Sequence, residues 1–168
     1  MKKVYITGPF IYDPEYKIYA SKLKITCEEF GFEPVFPIEH DSSDYDTPLD
    51  NAYDVYKTTL DVLQTVDAVI VDVRPWRGVS VDAGAAFIMG IAAQREIPVV
   101  SYTDDSMTTY LERVMLKHDT ALIDAKWIDK YGVVEDFGLN DNLMISMSSS
   151  YTDEGYERAF ELLASQLE

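Results

Sequence analysis

Apolar positions fall in short blocks along the chain, separated by polar stretches and turn residues. Lys3-Val4-Tyr5-Ile6-Thr7 is β-rich and stops at Gly8-Pro9, a turn signal. Tyr16 to Phe30 reads as a helix, with Tyr19, Leu23, Ile25-Thr26-Cys27 and Phe30 forming an apolar stripe and Gly31 as its C-terminal cap. Glu33 to Pro37 is a short second strand. His40 to Pro48 is an acidic loop too polar to pack. Asn51 to Thr65 is a second helix, expected to turn Tyr53, Tyr56, Leu60 and Leu63 inward.

The clearest strand is Ala68-Val69-Ile70-Val71-Asp72-Val73, apolar on both faces as a central parallel strand should be. Asp82 to Gln94 is a third helix, rich in small residues (Ala83, Gly84, Ala85, Ala86, Gly90, Ala92, Ala93) that would let it lie close to a sheet. Pro98 to Tyr102 is the next strand. Beyond it the pattern weakens until Thr152-Asp153-Glu154-Gly155 opens a terminal helix, Tyr156 to Leu167. Strands alternating with helices predict an α/β fold: one domain spanning residues 1–168, with a central parallel sheet of about five strands and helices on both faces.

Composition narrows the function. The 168 residues carry 14 Lys+Arg against 30 Asp+Glu, a net charge of −16. Such a surface repels phosphates, which argues against nucleic acid and against anionic membranes as partners. A single cysteine, Cys27, excludes an internal disulfide framework and a cysteine-based zinc site, and its mid-helix apolar position reads as core. No apolar run approaches the roughly 20 residues of a membrane span. The stretch before Gly8 is too short for a signal-peptide core. The expectation is a cytoplasmic protein that handles small molecules.

In an open α/β sheet, ligands bind beyond the carboxyl ends of the strands, where strand order reverses. Three segments occupy such ends: Thr7-Gly8-Pro9-Phe10; Asp72-Val73-Arg74-Pro75-Trp76-Arg77-Gly78, leading to Asp82; and Tyr102-Thr103-Asp104-Asp105. Asp72 and Asp82 thus bracket a loop bearing an indole and two guanidinium groups, a set suited to a flat heterocycle. Each also has a plainer reading. Asp82 is well placed as a helix N-cap. Asp72 ends a buried strand, where an unpaired carboxylate costs several kcal/mol, so an ion pair with Arg74 or Arg77 competes with a functional role. Trp76 alone reads as packing. Thr7-Gly8-Pro9 lacks the spacing of a dinucleotide loop or a P-loop. His40 and His118 have no local partners and fit no metal site, which usually needs three or four ligands.

Together these segments resemble the nucleoside 2-deoxyribosyltransferase family. Tyr5-Ile6-Thr7-Gly8-Pro9-Phe10 is similar to its opening strand and loop, and Asp72-Val73-Arg74-Pro75-Trp76-Arg77-Gly78 to its Asp-x-x-Pro-Phe-Arg-Gly segment. Asp82-Ala83-Gly84-Ala85-Ala86-Phe87-Ile88-Met89-Gly90 resembles its Asp-x-Gly-Thr-Ala-Phe-Glu-x-Gly helix. Residues Glu135 to Met144 are similar to its late Gly-Phe-Gly-Leu…Asn-Leu-Met stretch. The order is right across roughly residues 3 to 145.

The resemblance implies a flavodoxin-like domain that exchanges the base of a 2′-deoxynucleoside without cofactor or metal. A glutamate attacks C1′, the base leaves with a proton, and a second base or water takes the sugar, as in retaining glycosidases. By motif position, Asp72 would contact and protonate the base and Asp82 would orient substrate. Gly8, Phe10, Trp76, Arg77 and Gly84 would line the site, with Phe10 and Trp76 walling the base. Asn142 and Met144 would be offered to a neighbouring subunit, implying a homodimer or higher oligomer with shared sites. The implied partners are a deoxynucleoside, a free nucleobase or a deoxynucleotide.

One departure outweighs the agreements: the position of the family's nucleophilic glutamate is Ile88, and its threonine is Ala85. Isoleucine has no lone pair, so the covalent route cannot run through it. Three explanations compete: a variant made by substitution, a paralogue that senses nucleosides or nucleotides without turnover, and a protein in which Asp72 or Asp82 activates water directly. A generic flavodoxin-like partner-binding domain is disfavoured, because the Asp72 and Asp82 segments exceed what the fold requires.

Overall fold

The structure is a computed structural model that describes residues 1–37, 45–104 and 109–167. His40, residues 41–44 of the acidic loop after it, and Asp105 lie outside the described residues.

Strand β1 (Lys3–Thr7) runs into a 3-10 turn (Pro9–Tyr12), then α1 (Tyr16–Glu29) and β2 (Glu33–Val35). Helix α2 (Pro48–Leu63), β3 (Ala68–Asp72), α3 (Ala83–Gln94) and β4 (Val99–Tyr102) follow. The later part comprises α4 (Tyr110–Lys117), β5 (Ala121–Ile123), β6 (Lys126–Asp129), β7 (Gly132–Val133), α5 (Leu143–Ser146), β8 (Ser150–Thr152) and α6 (Gly155–Leu167). Five strands form a wholly parallel sheet in the order β2-β1-β3-β4-β8. This is the doubly wound, flavodoxin-like order, with its switch point between β1 and β3.

Alternation along the strands divides the core into two layers. Val4, Ile6, Ala68, Ile70, Val100 and Tyr102 face α1 and α6, where Leu23, Cys27, Phe160 and Leu163 are fully buried. Tyr5, Val69, Val71 and Val99 face the other way, against Leu63 of α2 and Ala85, Ile88, Met89 and Ala92 of α3. All five residues of β3 are buried, as its continuous apolar run predicts.

Several side chains depart from the expected pattern. Tyr53 and Tyr56 of α2 are exposed rather than inward, and so is Ile25 of α1. Periodicity marked the right face only where a turn of helix lies over the sheet. Of the small residues of α3, only Ala85 and Ala92 meet the sheet closely, whereas Gly84, Gly90 and Ala93 face outward. A second, antiparallel sheet, β5-β6-β7, and the edge strand β8 were not expected at all.

Candidate functional site

The carboxyl ends of β1 and β3 meet where the strand order reverses. Thr7 pairs with Val71, which brings Gly8 opposite Asp72. A β-carbon on Gly8 would lie 2.5 Å from the Asp72 Cβ and 2.8 Å from its carbonyl oxygen, and Gly8 holds φ +146 and ψ −179. That backbone region is essentially restricted to glycine. The turn predicted at Gly8 therefore exists because two strand ends approach closely.

Asp72 is fully buried. Its ion-pair partner is Arg74, whose backbone N–H donates to Oδ1 at 3.0 Å and whose Nε donates to Oδ2 at 2.7 Å. The guanidinium lies 5.6 Å from the Tyr19 ring centroid, and its Nη2 is 3.8 Å from Oδ1 of Asp104. Burial pushes the Asp72 carboxyl from 3.8 up to about 6, against the pull of Arg74. Burial also opposes the Arg74 charge, but Asp72 and Asp104 more than restore it, so its proton is held more firmly than usual. Behind the pair, the Tyr19 and Tyr102 hydroxyls are 3.2 Å apart, and burial raises both phenols, that of Tyr19 to about 12. Asp72 is covered, and the more exposed partner of the pair is Arg74.

Asp82 is the N-cap of α3, accepting from the Ala85 N–H at 3.0 Å through Oδ2. Its Oδ1 makes no hydrogen bond among the described residues. A β-carbon on Gly84 would come within 3.1 Å of Oδ2, so the glycine leaves room for the carboxylate. Trp76 stacks on Tyr12, with centroids 5.5 Å apart and planes 18° from parallel, and the Arg77 guanidinium lies 5.5 Å from the indole centroid. Arg77 adopts φ +55, unusual for a side-chain-bearing residue. Tyr12 is half exposed; burial raises its phenol, with a further push from Asp82 and an opposing pull from Arg77. These four residues therefore form one cluster over the α3 N-terminus. Tyr12 was missed in the sequence, where only its position just beyond the first strand-end loop pointed to it.

Phe10, expected as a wall of the base, and Asn142, expected as a subunit contact, both make contacts within the chain. Phe10 is a core residue packed obliquely on Tyr19, centroids 5.3 Å apart, and presents little of its ring to a base. It does border a groove of about 760 Å³ between the β1 loop, α1 and the end of β2. Asn142 spends its side chain within its own subunit: Oδ1 caps α5 by accepting from the Met144 N–H, and Nδ2 donates to Glu135. Met144, by contrast, is 71% exposed. Ile88 is 7% exposed and sits in the apolar layer with Val71, Val73 and Ala85.

A buried ion pair joins this site to the late segment. Asp141 accepts from the Ser80 hydroxyl, from the Val81 N–H at 2.9 Å and from the Asn142 N–H at 2.7 Å. Arg113 lies 3.5 Å from it and donates to the carbonyls of Val79 and Asn140. The loop that delivers Asp82 and the segment carrying Asn142 and Met144 are thus tied to one carboxylate. Among the described residues no group of three or more His, Cys, Asp or Glu side chains could hold a metal ion, and no helix is long and apolar enough to cross a membrane. His118 packs edge-on against Tyr131.

A family model described as nucleoside 2-deoxyribosyltransferase matches residues 4–144. No curated protein matches the chain in sequence. Among solved structures, the chain is similar to a 2-desoxiribosyltransferase from Leishmania mexicana, with a TM-score of 0.72 at 22% identity over 98% of each chain. A conserved protein from Enterococcus faecalis V583 aligns with a TM-score of 0.59 at 20% identity over 99% of each chain. A 2-deoxyribosyltransferase from Bacillus psychrosaccharolyticus aligns with a TM-score of 0.50 at 17% identity over 69% of this chain and 82% of the other.

Proposed function

The chain belongs to the nucleoside 2-deoxyribosyltransferase family, and we propose that it binds a 2′-deoxynucleoside or free nucleobase at the β1/β3 crevice while Ile88 impairs glycosyl transfer. The observation that carries this reading is the convergence of the Asp72 loop, the Asp82 cap and the Gly8 turn at the strand-order switch, in the family's order. In the family's chemistry a carboxylate captures the sugar carbon as the base departs. Ile88 offers only methyl groups there and is packed into the apolar layer.

The remaining groups keep their binding roles. Asp72 fixes Arg74, and burial pushes its carboxyl up to about 6, in the range that suits proton transfer. Asp82 keeps Oδ1 for a sugar hydroxyl. Because its carboxylate already occupies the α3 N-terminus, a 5′-phosphate would meet a like charge, which favours nucleosides over nucleotides. Trp76 and Tyr12 offer aromatic edges beside them. The exposed Tyr53 and Tyr56 on α2, Phe87 on α3, Met144 on α5 and Met147 just after it support association of copies through these surfaces, with Met144 reaching a neighbouring site.

The test is a base-exchange and hydrolysis assay by chromatography, running the chain beside Ile88→Glu with several 2′-deoxynucleosides. Exchange only in the glutamate form supports a transferase scaffold without its nucleophile. Exchange in the unaltered chain overturns the impairment. A second reading, hydrolysis by a water activated at a carboxylate, is favoured by the unengaged Asp82 Oδ1, and sugar release from the unaltered chain would support it. Tight nucleoside binding with no turnover by either form supports a non-catalytic sensor.

A further inference from the structure

We propose that Arg74 selects the base: the crevice takes bases with a carbonyl oxygen at purine C6 or pyrimidine C4 (hypoxanthine, guanine, uracil and thymine) over adenine and cytosine, which carry an amino group at that position. The inference rests on the reading that the crevice binds a deoxynucleoside.

Both oxygens of Asp72 already accept from Arg74, and the carboxylate is fully buried. The group of this pair open to a ligand is therefore the guanidinium, whose side chain is 35% exposed and borders a cavity of about 240 Å³ with Phe10 and Tyr19. It is held on three sides. Nε is fixed on Asp72, the Tyr19 ring lies beneath at 5.6 Å, and Asp104 stands 3.8 Å from Nη2. The Nη hydrogens have no partner within hydrogen-bond distance among the described residues. A guanidinium carries five donors and no acceptor. It rewards an acceptor and opposes a second donor.

The C6 position of a purine poses that choice. Hypoxanthine and guanine present O6 beside N7, two acceptors that suit a guanidinium fork, whereas adenine places an amino donor beside N7. The same contrast separates the O4 of uracil and thymine from the N4 amine of cytosine. A hydrogen bond from a charged donor makes the difference roughly 10- to 100-fold in affinity. Arg74 stands at an unspecified position of the Asp-x-x-Pro-Phe-Arg-Gly pattern, so this selectivity belongs to the present chain.

Titration calorimetry with 2′-deoxyinosine and 2′-deoxyadenosine tests it, because the two differ only at the C6 substituent and its ring proton. The expected result is at least tenfold tighter binding of deoxyinosine, retained in Arg74→Lys and reduced to within about threefold in Arg74→Gln, whose amide both donates and accepts. A ratio of affinities is insensitive to a general loss of stability, and the comparison in the unaltered chain requires no variant to fold. Equal or tighter binding of deoxyadenosine overturns the inference and leaves the nucleoside reading standing. An unchanged ratio in Arg74→Gln also overturns it. Binding of neither ligand, in the chain or in Ile88→Glu, overturns the nucleoside reading and the selectivity together.

Discussion

Gly8 and Asp72 face each other at the ends of adjacent parallel strands, closer than any β-carbon on Gly8 would allow. The glycine is thus a condition for the buried carboxylate. Gly8→Ala forces both a φ of +146 on alanine and a 2.5 Å contact with the Asp72 Cβ. We expect destabilisation of about 2–4 kcal/mol, combining backbone strain and steric displacement. Urea unfolding measures it, and a loss below about 1 kcal/mol would show that the strand ends separate freely.

Asp72 makes stability depend on pH in a defined direction. Its carboxyl rises from 3.8 to about 6 on folding, so the folded chain holds a proton that the unfolded chain has released. Stability from this group is present below about pH 4 and is lost as pH climbs to about 6. The full rise corresponds to roughly 3 kcal/mol. Asp72→Asn removes the titration, and its stability curve should lack the fall between pH 4 and 6 expected of the parent. Parallel curves for the two proteins across that window would contradict a raised carboxyl.

Asp82 carries two separable roles on its two oxygens. Oδ2 caps α3, and Oδ1 is unengaged. Asp82→Ser keeps a good cap and should lie within about 0.5 kcal/mol of the parent, while Asp82→Ala should lose about 1 kcal/mol. Both should weaken deoxynucleoside binding if Oδ1 holds the sugar. Calorimetry on Asp82→Ser is decisive: parent-like affinity would leave Asp82 a cap and nothing more.

These sites differ in how far the sequence disclosed them. The runs Ala68 to Val73 and Val4 to Ile6 announced the central strands, because a strand covered on both faces reads as a nearly continuous apolar run. The Asp82 cap and the Asp72–Arg74 pair were readable, since capping and nearest-partner chemistry are local. Strand β8, Ser150-Tyr151-Thr152, was invisible: an edge strand needs one buried face and tolerates polar residues. The hairpins of β5 to β7 are short and exposed, so no alternation marks them. The Tyr12–Trp76 stack and the Arg113–Asp141 pair depend on long-range contact, which no local spacing encodes.

Asp141 offers the strongest test of how the late segment is held to the Asp82 loop. Its carboxylate is 2% exposed and serves the Ser80 hydroxyl, the Val81 and Asn142 N–H groups and Arg113. Asp141→Ala removes the counter-charge 3.5 Å from the buried Arg113 guanidinium and strands the Val81 and Asn142 backbone donors, a change expected to destabilise by about 3–5 kcal/mol. Asp141→Asn keeps one acceptor and should be milder, although Arg113 loses its counter-charge. Hydrogen exchange gives the local signature: the Val81 and Asn142 amides should lose protection together in Asp141→Asn, ahead of the β3 amides. Uniform loss across the sheet would mean that Asp141 supports the fold in general, without coupling the Asp82 loop to the segment that carries Met144.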